Sequence, residues 1–202
     1  NDAILPGDVG NDDVIYGGGG SDTVYAGDGD DSVSGGMNAD LLYGGVGNDT
    51  LRGDTANTFD PRFPSTIGIL ADSLYGGEGD DSLIGSSDAD RLYGGAGNDT
   101  LTDGGNNFIY NSGNRDSLDG GEGNDTYRFG HGSGRDVITN YDPSAGRQDK
   151  LSFNQGVTVD ELWFTQNGSD LDIKLIGSAD KVTISNWYSD SSYHLDQLQT
   201  AD

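Results

Sequence analysis

The sequence predicts an all-β chain, with a parallel β-roll over residues 1–125 and an antiparallel β cap over residues 126–202. Three observations carry that expectation. A unit rich in glycine and aspartate recurs every nine residues through the first part. Only 32% of the 202 residues are hydrophobic while 35 are glycine, too little apolar side chain for an ordinary core. Beyond residue 126 the glycine units stop and apolar residues alternate with polar ones, the period-two mark of strands.

The repeating unit reads G-G-x-G-x-D-x-U-x, with U apolar. Good copies start at Gly17, Ala26, Gly44, Gly76, Gly94 and Gly120, and place Asp22, Asp31, Asp49, Asp81, Asp99 and Asp125 at the sixth position. Weaker copies place Asp13 (or its neighbour Asp12), Asp40, Asp72, Asp90 and Asp116 there. Glycines in the first six positions permit a tight turn through positive φ. The x-U-x triplet then forms a short strand with one side chain turned inward. Two units close one coil, so Val24, Val33, Leu42, Leu51, Leu74, Leu83, Leu92, Leu101 and Leu118 are expected to stack into a thin core.

A longer period overlies the short one, since residues 22–57 reappear as 72–107 at an offset of 50, which reads as a duplicated block. Each block ends in a stretch lacking the sixth-position aspartate, 53–59 and 103–109, expected to replace one degenerate repeat. In the first, Asp60-Pro61-Arg62-Phe63-Pro64 is expected to bulge as a surface loop within an insertion near 54–66.

Charge narrows the partners. The chain has 35 acidic and 10 basic residues, a formal charge of −25; 24 of the acids, against four arginines, lie before residue 126. Such a chain repels nucleic acid and anionic membrane and attracts cations. Calcium takes six to eight oxygens at about 2.3–2.6 Å, and turns stacked about 4.8 Å apart offer carbonyls and carboxylates in register. Cysteine is absent, which excludes disulfides and thiolate metal sites. No apolar run approaches the length of a membrane span. The chain opens at Asn1 without a start methionine and reads as a fragment of a longer parent.

These repeats resemble the RTX, or haemolysin-type calcium-binding, nonapeptide family. The resemblance implies a right-handed parallel β-roll, several bound Ca2+ ions, and ligands from two turns eighteen residues apart. Carbonyls two and four with the aspartate come from the first turn; carbonyls one and three with the aspartate come from the second. Carried over, one site is Gly27, Gly29 and Asp31 with Gly44, Val46 and Asp49. A second is Gly77, Gly79 and Asp81 with Gly94, Ala96 and Asp99. A third is Gly18, Gly20 and Asp22 with Gly35, Met37 and Asp40, where Asn38 replaces a glycine. The candidate metal set also includes Asp13, Ala26, Asp28, Gly45, Gly47, Asp72, Asp90, Gly95, Gly97, Asp116 and Asp125. The family's use of such modules implies a non-catalytic domain of a bacterial protein, secreted or on the cell surface. It would be exported unfolded through a type I secretion channel and folded outside by calcium. The alternative partner is a polysaccharide or cell-surface ligand, with Tyr16, Tyr25, Tyr43, Tyr75 and Tyr93 as contacts.

The last part also resembles the segment that follows the repeats in that family, through Thr126-Tyr127-Arg128-Phe129-Gly130, Asp149 to Phe153 and Asn186-Trp187-Tyr188. Strands are expected at 149–153, 161–166, 170–176 and 181–187 as a cap for the open end of the stack. Asp136, Asp142 and Asp149 are either a further cation site or capping carboxylates. His131 and His194 are isolated in sequence, and no nucleophile or metalloprotease motif accompanies them.

Overall fold

A computed structural model describes residues 3–4, 11–54, 71–86, 89–104 and 115–200. The repeats build two sheets facing one another across a single file of side chains. The ten-stranded sheet runs β1 (Ala3–Ile4), β3 (Thr23–Asp28), β5 (Leu41–Val46), β7 (Ser73–Glu78), β9 (Arg91–Ala96), β11 (Ser117–Glu122), β13 (Arg135–Ile138), β17 (Lys181–Ile184), β16 (Asp170–Leu175), β15 (Leu162–Asn167). The eight-stranded sheet runs β18 (Gln197–Gln199), β14 (Lys150–Phe153), β12 (Thr126–Phe129), β10 (Thr100–Thr102), β8 (Ser82–Ile84), β6 (Thr50–Asp54), β4 (Ser32–Met37), β2 (Val14–Gly19).

Consecutive repeats alternate between the sheets, and each strand pairs in parallel with the one a coil later, as in Val24↔Leu42 and Val33↔Leu51. The U side chains meet in the middle. Leu42, Leu51, Leu74, Leu83, Leu92 and Leu101 are fully buried, with Val24, Val33 and Leu118 essentially so. Many strands are six residues long rather than three, because pairing continues into the first three turn positions (Gly45↔Gly77, Val46↔Glu78).

The stack does not break between the duplicated blocks. Leu42 pairs with Leu74 and Leu51 with Leu83, 32 residues apart rather than 18. Leu92 pairs with Leu118 and Leu101 with Tyr127, 26 apart. A degenerate repeat of nine residues would have sent the next strand to the opposite sheet, yet β6 and β7 alternate normally, as do β10 and β11. The two stretches therefore lengthen one connection each instead of replacing a repeat, a correction to the expectation from sequence. The loop expected at 60–64 lies outside the described residues. On the outer surface Tyr25, Tyr43, Tyr75 and Tyr93 stack at centroid spacings of 4.8, 5.0 and 4.8 Å, the middle contact crossing the block junction.

Parallel pairing also runs past residue 125: β12 with β14, β11 with β13, β13 with β17 and β14 with β18. Among the described residues antiparallel pairing is confined to β15 with β16 and β16 with β17. Here the core thickens from leucine to Tyr127, Phe129, Leu151, Phe153, Ile173 and Ile184. The strand expected to reach residue 187 stops at Ile184, because Asn186 adopts φ 56° and Trp187 turns to stack on His194 at 4.4 Å. No helix among the described residues is long and apolar enough to cross a membrane.

Candidate metal centre

The roll has two long edges, one for each direction of turn. On the first, turns leave the ten-stranded sheet at 26–31, 44–49, 76–81, 94–99 and 120–125. On the second, turns return from the eight-stranded sheet and end at Asp22, Asp40, Asp72, Asp90 and Asp116. Each edge carries a ladder of aspartates. On the first, the backbone N–H of Asp13 donates to Asp31 Oδ1, Asp31 to Asp49, Asp49 to Asp81, Asp81 to Asp99 and Asp99 to Asp125, all at 2.7–2.9 Å. The second repeats the scheme through Asp22, Asp40, Asp72, Asp90, Asp116 and Asp136 at 2.7–3.1 Å.

One carboxylate oxygen per rung is thus spent on the backbone. The other, Oδ2, is buried without a hydrogen-bond partner in Asp31, Asp40, Asp49, Asp81, Asp99, Asp125 and Asp136. Buried carboxylate oxygens need a cation or a proton. Carbonyls converge on the same space: a Cβ on Gly94 would lie 2.2 Å from Asp99 Oδ2 and 2.5 Å from Gly120 O. A Cβ on Gly45 would lie 1.9 Å from Gly27 O. The donor set is all oxygen, without nitrogen or sulfur, which fits calcium and not zinc. Protein alone leaves these acids desolvated. Burial, opposed by the backbone hydrogen bond and helped by neighbouring carboxylates, pushes Asp40 and Asp49 up to about 6 and Asp81, Asp99 and Asp125 up to about 7. Asp116, buried beside Asp136, rises to about 9, and Asp136 to about 8.

The residue sets expected from sequence are neighbours in space. Gly27 pairs with Gly45, Gly29 N–H donates to Val46 O at 2.8 Å, and Asp31 and Asp49 are successive rungs. Gly77 with Gly95, Gly79 with Ala96 and Asp81 with Asp99 repeat the arrangement. On the second edge Gly18 pairs with Gly36 and Gly20 donates to Met37 O at 3.2 Å; Asn38 takes the glycine-like φ of 78°. Asp13 stands in the aspartate row, whereas Asp12 sits one position earlier and accepts from Asp30 N–H. Asp28 is exposed.

Sequence spacing missed the turn pairs on either side of the lengthened connections. Gly47 N–H donates to Glu78 O at 2.7 Å and Gly97 N–H to Glu122 O at 2.8 Å, so Gly76, Glu78, Gly120 and Glu122 complete the first edge. Counting repeats and ignoring the inserted residues would have found them. Asp103 was also missed; it occupies a first-turn position held by glycine in the other turns of the second edge.

Beyond Asp125 the first ladder meets a cation made of protein at Asp149, and Asp149 N–H donates in turn to Asp196 Oδ2 at 3.1 Å. Asp149 Oδ1 accepts from Asp125 N–H at 3.0 Å, and its Oδ2 accepts from Arg147 Nε at 3.0 Å and Asn140 Nδ2 at 2.8 Å. The same guanidinium also holds the carbonyls of Asp142, Ser191 and His194. Asp149 is therefore a capping carboxylate. Asp142 is held below the usual carboxylate range despite its burial, through hydrogen bonds from Ser144 and Gly123 and the charge of Arg147. His131 lies beside Glu161 and Asp180.

Comparison with known proteins agrees with this geometry. The family model for the RTX calcium-binding nonapeptide repeat matches in four copies, at residues 9–42, 38–58, 67–101 and 102–127. That for the haemolysin-type calcium binding protein related domain matches residues 170–202. Iron-regulated protein FrpA of Neisseria meningitidis serogroup C is 39% identical over 75 residues, 36% of this chain but 7% of that protein. Two solved structures are similar. The AlgE6R3 subunit of the Azotobacter vinelandii mannuronan C5-epimerase is 28% identical, over 66% of this chain and 81% of that one, with a TM-score of 0.41. The extracellular lipase LipA of Serratia marcescens is 25% identical, over 100% of this chain and 40% of that one, with a TM-score of 0.32. With the repeat model covering more than half of its residues, this chain belongs to the RTX family of calcium-binding nonapeptide repeats.

Proposed function

We propose that the chain is a calcium-triggered folding module of a secreted bacterial protein, itself non-catalytic, that leaves the cell unfolded by a type I route and folds outside or on the surface. The observation that carries this reading is the row of buried aspartates whose second oxygen has no protein partner. Without cations, the charge of −25 and the entropy of 35 glycines oppose folding. With them, each ion ties one turn to the next and the stack propagates. Extracellular calcium modules bind at about 10⁻⁴–10⁻³ M, which suits a switch that stays open inside a cell and closes outside.

The ligands proposed on the first edge are the aspartates of successive turns with their inward carbonyls, starting with Gly27, Gly29 and Asp31 joined to Gly44, Val46 and Asp49. A calcium titration followed by circular dichroism tests the switch: most β signal is expected to appear only with calcium. Full β signal in calcium-free buffer would sink it. An Asp31→Ala, Asp49→Ala double variant that binds as many ions as the parent chain would refute the ligand assignment. A glycan-binding role for Tyr25, Tyr43, Tyr75 and Tyr93 draws little support, because stacking turns their ring faces onto one another, whereas Tyr16 stands outside the stack and is exposed.

A further inference from the structure

Where the last inserted connection rejoins the roll, three carboxylates come together. One oxygen from each of Asp103, Asp116 and Asp136 lies within 4.8 Å of the other two, and all three residues are at least 98% buried. Elsewhere on this edge the position of Asp103 is glycine, and it has to be. A Cβ on Gly35, Gly53 or Gly85 would come within 2.3, 2.2 or 2.6 Å of the Oδ2 of its own turn's aspartate. The chain has therefore placed a third acid in space that the repeat reserves for a carboxylate and its ligand.

The other two residues show where that acid's partner belongs. Asp116 Oδ1 accepts from Asp90 N–H at 2.7 Å, and Asp136 Oδ1 accepts from Asp116 N–H at 3.1 Å. Asp136 Oδ2, in a residue 1% exposed, has no protein partner. Three like charges in one buried space repel strongly in a low-dielectric surrounding unless a cation separates them. Nitrogen and sulfur ligands are absent from the cluster, so a hard divalent ion is the match.

We propose that Asp103, Asp116 and Asp136 form a tricarboxylate calcium site at the junction of roll and C-terminal segment, tighter than the two-aspartate sites of the regular turns. The inference rests on the calcium-folding reading above. Affinity in oxygen-ligand calcium sites follows the number of charged ligands. This site should therefore fill first, clamping β11 to β13 before the remaining turns load.

Isothermal titration of the full chain with calcium is expected to show one ion bound at least about tenfold more tightly than the rest. Asp103→Asn removes the charge at constant size, and Asp103→Gly restores the residue of the other turns. Both should fold in saturating calcium by circular dichroism, lose the tight class, and leave the weaker ions unchanged. A single class of sites in the parent chain, or a tight class that survives both substitutions, overturns the tricarboxylate site while leaving calcium-driven folding intact. Failure of the parent chain to fold on calcium would instead remove the reading beneath it.

Discussion

The two edges of the roll are built from the same nonapeptide but tolerate different things. On the first edge every described turn from Ala26 to Asp125 keeps its six-residue length, and the fifth position carries a second ladder of side chains. Asn48 N–H donates to Asp30 Oδ1, Asp80 to Asn48, Asn98 to Asp80 and Asn124 to Asn98, at 2.7–3.0 Å. It runs opposite to the aspartate ladder beside it, so adjacent peptide N–H groups are held from both neighbouring coils. The second edge has Ser21, Ala39, Ala71, Ala89 and Arg115 at that position and absorbs both long connections. One edge sets the register; the other accommodates change.

The largest test of that contrast is an insertion. One residue added between Asn98 and Asp99 moves the following aspartates and leucines out of register, since a one-residue slip in a strand turns its inward side chains outward. Calcium-induced β signal should then be largely lost. Four residues added within 55–70 should leave it nearly intact, because loop-closure entropy rises only slowly with length. Equal damage from both insertions would dissolve the distinction between the edges.

A smaller effect separates two glycines. Gly47, inside the stack, has φ 132°, and a Cβ there would lie 2.1 Å from Gly29 O; Gly18, on the terminal strand β2, has φ 98° with open space around it. Gly47→Ala should cost at least about 3 kcal/mol in calcium, from strain together with backbone collision. Gly18→Ala should cost about 1–2 kcal/mol, from φ alone. Chemical denaturation in saturating calcium measures both.

The smallest effect is on pH, read in calcium-free buffer. Carboxyls raised above 3.8 in the folded chain stabilise it fully below that value and lose that contribution as pH rises through their folded values. For Asp49, Asp81, Asp99 and Asp125 that loss begins near 3.8 and is complete near 6–7, and for Asp136 and Asp116 it is complete only near 8–9. Residual β structure should therefore increase on acidification from pH 9 toward pH 4. Asp116→Asn should remove the part of that transition at highest pH. A β signal that falls on acidification would reverse the sign and refute the desolvation account.

Much of this architecture was legible in the residues. The spacing of Asp22, Asp31, Asp40 and Asp49 gave the coil, and Val24, Val33, Leu42 and Leu51 gave its core. The pairing of Asp49 with Asp81 and of Asp99 with Asp125 was not legible, because separations of 32 and 26 residues hide an unchanged repeat count. Equally hidden were the continuation of parallel strands through Tyr127, Ile138 and Leu151 and the convergence of Asp103 on Asp136. Both depend on where an irregular connection returns, and side-chain patterning does not encode that.

Arg147 gives the row of aspartates a rung of a different kind from its other members. Ions exchange with solution and answer to its composition; a guanidinium bonded to Asp149 and to three backbone carbonyls does neither. The Asp149 rung of the first edge is thus compensated once, at synthesis. A chelator cannot empty that rung, because its charge is balanced within the polypeptide.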